Sequence, residues 1–106
     1  MAPTENTFKI GKTITITTHP ATLRRRDISR KVLHRLRGAD VDGQTLTDFA
    51  IIVAYTKAVD GLDWTPPTPD DELVVLLEAL EYWLDNIDPI ISDKWVNGCF
   101  PTKPIL

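Results

Sequence analysis

Two histidines, one cysteine and fifteen carboxylates are the side chains of this 106-residue chain that could do chemistry. His19 and His34 have no second metal-binding residue at ligand spacing, and neither His-x-x-x-His nor Glu-x-x-His occurs. Cys99 stands beside Phe100 with no neighbouring base or positive cluster to turn its thiol into a thiolate nucleophile. The spacing predicts a small core residue instead. As the single cysteine it cannot close an internal disulfide or a cysteine-rich metal site. Gly11-Lys12-Thr13 matches the end of a phosphate-binding loop, but the upstream glycine is missing and no helix is expected to follow. Asp70-Asp71-Glu72 could serve as an acid pair, yet the predicted start of a helix already accounts for acids there. Glu78, Glu81 and Asp85 read as a solvated face or a docking surface. The expectation is therefore no enzyme, no metal and no cofactor.

What remains is charge, and it is sharply segregated. Residues 23–37 hold Arg24, Arg25, Arg26, Arg30, Lys31, Arg35 and Arg37 against Asp27 alone, a balance of +6. Residues 60–93 hold ten acids and no base, a balance of −10. Three arrangements fit. The two regions can pair within the chain, or the basic face of one subunit can meet the acidic face of the next, or the basic helix can lie on nucleic-acid phosphates. The last is weakened by the absence of aromatic or amide side chains for base contacts on that helix. The connector after it, residues 38–44, also exceeds the ~3–4 residues of a helix-turn-helix. The net charge of −3 argues the same way.

The elements that must position these faces can be read along the chain. Residues 8–17 alternate with period two and predict an N-terminal strand or hairpin. A three-residue loop, or one continuous strand, keeps Phe8, Ile10, Ile14 and Ile16 on one face. Such a strand must pack on helices, pair with another strand, or join a neighbouring subunit's sheet. Thr22 caps a first helix over 23–37, closed by Gly38, with Ile28, Val32, Leu33 and Leu36 as its apolar stripe. Thr45 is the expected cap of a second, almost wholly apolar helix over 46–59, with Gly61 in the left-handed position beyond it. Thr68-Pro69-Asp70-Asp71 opens an acidic, leucine-rich third helix carrying Leu73, Leu76, Leu77, Leu80, Leu84 and Ile87. Its apolar arc is widened by Val75, Ala79, Tyr82 and Trp83, of which Trp83 could anchor an interface. Asp88-Pro89 starts a short fourth helix over 90–96. The fold class predicted is mainly α, about four helices with an N-terminal β-strand or hairpin, a small single α+β domain over 1–106. Residues 1–6 and 99–106 are expected to be flexible tails.

Hydrophobic content of 42% and charged content of 25% are those of an ordinary globular protein. No apolar run approaches the roughly 18 residues of a membrane span, and the N-terminus lacks signal-peptide character. A cytoplasmic location is the expectation.

The order of features resembles one family. Phe8-x-Ile10-Gly11-Lys12-x-Ile14-x-Ile16 precedes a basic helix. An apolar helix ending Ala58-Val59-Asp60-Gly61-Leu62-Asp63-Trp64 follows, then Pro66-Pro67-Thr68 and the acidic leucine-rich helix. This layout is similar to the small tail assembly chaperones of long-tailed, siphovirus-type bacteriophages, over residues 8–97. The resemblance implies a non-enzymatic protein of the infected host cytoplasm. It would bind the tape-measure protein, help recruit tail-tube subunits and self-associate. It also implies a minor longer form made by ribosomal frameshifting, for which the segment after Gly98 is a suitable place.

A chaperone for an amphipathic helix needs exposed apolar surface rimmed by charge. The expected partner-binding residues are Arg24, Arg25, Arg30, Lys31, Ile28, Val32 and Leu36 on the first helix and Val75, Ala79 and Trp83 on the third. Phe8, Ile10, Ile14 and Ile16 are the expected strand-pairing residues. The same side chains could instead be the core of a four-helix domain. Two rival functions stand beside the chaperone: a small nucleic-acid-associated regulator using the basic helix, and a virion connector or structural subunit.

Overall fold

Alternating apolar side chains and one glycine make residues 6–18 fold back on themselves. In a computed structural model that describes residues 4–100, strands β1 (Asn6–Ile10) and β2 (Ile14–Thr18) pair antiparallel through a three-residue loop. Ile10 faces Ile14 and Phe8 faces Ile16, so Phe8, Ile10, Ile14 and Ile16 share one face. Gly11 takes the left-handed turn position at φ +66°. The other helices and strands are α1 (Leu23–Leu36), α2 (Gly43–Tyr55), β3 (Thr56–Asp60), α3 (Leu73–Asn86) and α4 (Pro89–Cys99). The chain is thus a small α+β domain of four helices and a three-stranded antiparallel sheet ordered β1-β2-β3.

β3 corrects the expected second helix. α2 stops at Tyr55, and residues 56–60 run antiparallel to β2. Ala58 and Val59 suit a helical stripe and a period-two strand equally. The open edge of β2 decides between them, because a two-stranded hairpin gains stability from a third strand. The pairing of β2 therefore lies within the chain, not with a neighbouring subunit as one reading of the sequence allowed. A bulge at Lys57 offsets the ladder, so that Thr18 faces Thr56 and Thr17 faces Ala58. Gly61 does adopt a left-handed φ of +85°, but it follows this strand instead of a helix.

The helix starts differ in detail from the expectations. Thr22 caps α1 as read, its Oγ1 accepting from Arg25 N–H at 3.2 Å. α2 starts earlier than expected, capped by Asp42, whose carboxylate accepts from the N–H groups of Gln44 and Thr45. Thr68 and Asp71 close a turn on each other before α3 and do not form its first turn. Asp88 caps α4 through Ile90 N–H at 2.7 Å. That helix continues past residue 96 to Cys99, and Gly98 leaves room for the Phe8 ring where a Cβ would collide with it. Four expected tail residues are held in the fold. Asn6 belongs to β1 and donates to the Gly98 carbonyl at 3.0 Å, and Cys99 is buried. Glu5 pairs with Lys57, and the Phe100 ring meets that of Tyr55 edge-on at 4.9 Å; the tail expectations at 1–3 and 101–106 lie outside the described residues.

α2 is the central helix, as its all-round apolar sequence implies: seven of its thirteen residues are buried, Phe49, Ile52 and Ala54 completely. It packs on α1 and α4, and α4 lies on β1. Trp95 of α4 is fully buried and donates its indole N–H to Thr56 Oγ1 at 2.9 Å, tying the helix to the start of β3. None of the helices among the described residues is long and apolar enough to cross a membrane.

Candidate protein-binding surface

The groups with chemical potential stay dispersed. No cluster of three or more His, Cys, Asp or Glu side chains suited to a metal occurs among the described residues. His19 lies beyond β2, its backbone N–H donating to the Tyr55 carbonyl, while His34 is exposed on α1. Partial burial, with Arg25 and Lys57 nearby, lowers the His19 pKa below its ordinary value. Cys99 is fully buried, and that burial pushes its thiol up to about 12. Its thiol is expected to resist a disulfide reagent in the native protein and to react at the ordinary rate in denaturant, as a timed thiol titration will read. The linked effect has a definite sign. Between pH 9 and about 12 the unfolded chain holds fewer protons than the native one, so stability falls as pH rises through that window.

α1 turns its basic side chains outward. Val32 and Leu36 are buried, and Ile28 packs on the core from a half-buried position. These three therefore serve the chain's own core, where a partner cannot reach Val32 or Leu36. Arg25 is also committed internally, its guanidinium donating to the Ala54 carbonyl at 3.0 Å. Arg35 holds the turn before α3 through the carbonyls of Pro69 and Asp71, at 2.9 and 2.8 Å. Arg24, Arg26, Arg30, Lys31 and Arg37 remain exposed, with Lys31 paired to Asp27 at 3.1 Å on its own helix. Among the described residues the basic face forms no ion pair with the acidic one. Among the described residues the ion pairs are Lys31–Asp27 and Lys57–Glu5.

α3 is anchored by a narrow strip. Leu76, Leu80 and Trp83 are buried, and the Trp83 ring lies 5.4 Å from that of Phe49. Trp83 therefore packs inward and is not an exposed anchor; Ala79 is half-buried beside it. Its indole N–H has no partner among the described residues. A cavity of about 210 Å³ adjoins it, lined among others by Asp48, Leu84, Ile87, Pro89 and Asp93, with room and polar groups suited to water.

Beyond that strip the helix exposes large apolar side chains on both flanks. Leu73, Leu77 and Leu84 are 44%, 37% and 37% exposed and, at about 100° per residue, align in one row beside the buried strip. Val75 and Tyr82 lie on the opposite flank, where Tyr82 stacks on Trp64 at 6.2 Å. Glu78, Glu81 and Asp85, all exposed, occupy the outward side between them, together with Val74. The leucine row escaped the sequence reading because Leu73, Leu77 and Leu84 resemble the buried Leu76 and Leu80 in type and spacing. The excess width of the apolar arc was the available signal.

Comparison of the chain with family models, with curated proteins and with solved structures gave no match.

Proposed function

We propose that this protein is a non-enzymatic assembly chaperone that binds an amphipathic helix along α3. On this reading the partners are a phage tape-measure protein and tail-tube subunits, and the work is done in the cytoplasm of the infected host. The observation that supports it is the exposed row Leu73, Leu77 and Leu84 beside Glu78, Glu81 and Asp85. Apolar side chains at these spacings fit a groove-to-helix contact, and an acidic rim selects helices carrying Lys or Arg at their edges. The row is a surface that water covers at a cost in the free chain; burying one leucine fully is worth about 1.5–3 kcal/mol.

The test is a titration of labelled helical peptides from the tape-measure protein encoded in the same genome. Leu77→Glu combined with Leu84→Glu is expected to weaken binding at least ~30-fold, if only about 2 kcal/mol of apolar burial is lost. Because both leucines are partly exposed, circular dichroism of the variant is expected to match the parent. Equal binding by parent and variant would contradict the reading.

The nucleic-acid reading keeps one observation in its favour, the outward basic face of α1. If it held, Arg24→Glu with Arg30→Glu would abolish a strongly salt-dependent binding to nucleic acid.

A further inference from the structure

The outward faces of α1 and α3 each carry like charges side by side, which among the described residues only the Asp27–Lys31 pair on α1 offsets in part. On α1, Arg26 and Arg30 stand four residues apart, as do Lys31 and Arg35. On α3, Glu78 precedes Glu81 by three residues and Glu81 precedes Asp85 by four. Like charges at these spacings destabilise a helix by about 0.2–0.5 kcal/mol per pair. Acids and bases interspersed on each helix would remove this cost, and yet the two signs are kept apart. They are also kept from meeting within the chain, since the basic face forms no ion pair with α3 among the described residues.

The apolar parts match too. Leu23 at the start of α1 is 74% exposed, and the stems of Arg30, Lys31, His34 and Arg35 line a shallow, almost wholly apolar groove. α3 presents its leucine row beside its acids.

We propose that the basic face of α1 in one copy of this chain seats on the acidic, leucine-edged face of α3 in the next. The contact is heterologous, head to tail, so a pair of copies keeps one free basic face and one free acidic face, and assembly continues into a ring or an open chain. This goes beyond the helix-binding reading and does not depend on it: the second copy is named by charge complementarity between two faces of one chain. Where both hold, the second copy and the partner helix contend for α3.

The experiment is sedimentation velocity of the purified full chain, with charge-reversed variants. Wild type is expected to assemble at about 20 mM salt and to dissociate at about 500 mM, where screening shortens the reach of its charges from ~20 Å to ~4 Å. Arg24→Glu with Arg30→Glu, and separately Glu78→Lys with Glu81→Lys, should each be folded by circular dichroism and monomeric at low salt. An equimolar mixture of the two variants should assemble again, because the native α1 of one meets the native α3 of the other. Monomeric wild type at low salt overturns the proposal. So does assembly that persists in either variant, or a mixture that stays monomeric. Reassembly of the mixture with unchanged failure of the leucine variant to bind helices would leave this contact standing and the two readings separately decided.

Discussion

Gly61→Ala is expected to destabilise the protein by more than about 3 kcal/mol, a large part of the roughly 5–15 kcal/mol that holds such a domain together. Two costs add at this position. An L-residue in the left-handed region costs about 1–2 kcal/mol, and Gly61 sits there at φ +85°. The second is a collision: a Cβ on Gly61 would lie 1.8 Å from the Thr13 carbonyl oxygen, which is backbone and cannot rotate away. The hairpin loop would have to leave β3, and Ile14 with it. Gly11→Ala is the control. Gly11 has a similar φ of +66° but nothing within 4 Å of its missing Cβ, so it should lose only the conformational part, about 1–2 kcal/mol. Urea unfolding of the two variants reads the difference, and equal losses would show that the loop yields without cost.

Trp95→Ala is expected to cost about 3–5 kcal/mol, the usual loss on removing a large buried aromatic. Trp95 has no exposed surface, its ring lies 6.0 Å edge-on from Trp64, and its N–H reaches Thr56 Oγ1. The substitution therefore opens a cavity under α4 and removes the donor that meets β3 where the bulge begins. Trp95→Phe separates the two effects. It keeps most of the ring volume but leaves Thr56 without this donor, and should lose about 1–3 kcal/mol. Adding Thr56→Val to Trp95→Phe should recover part of that, because both partners are then apolar. Thermal unfolding of the three variants checks the order; a single variant as stable as the parent would remove Trp95 from the core's central supports.

The β segment was legible because its alternation is unbroken, and the three-residue loop was one of the two arrangements, with a continuous strand, that keep Phe8, Ile10, Ile14 and Ile16 together. The cap at Thr22 and the proline start of α4 at Asp88-Pro89 were legible for equally local reasons. β3 was not. Ala58 and Val59 continue the apolar pattern of α2 with no glycine or proline before them, and the strand exists because β2 has an edge to fill, which is a tertiary fact. The site was half legible. The sequence placed both charged faces correctly on α1 and α3, since charge is read directly from residue type. It could not say which apolar neighbours of those charges face outward. Val32, Leu36 and Trp83 went to the core, whereas Leu73, Leu77 and Leu84 stayed at the surface, because α1 is pressed along its length on α2 while α3 rests on the strip through Leu76, Leu80 and Trp83.

On the proposed function, the exposed face of α3 is where an amphipathic helix binds. Amide hydrogen exchange of the full chain, with and without a saturating tape-measure helix, tests it most directly. At about 500 mM salt, where screening keeps the copies apart, binding should slow exchange across residues 72–86 and leave the exposed face of α1 unchanged. Protection confined to α1 or to the free edge of β1, with α3 exchanging as before, would contradict it.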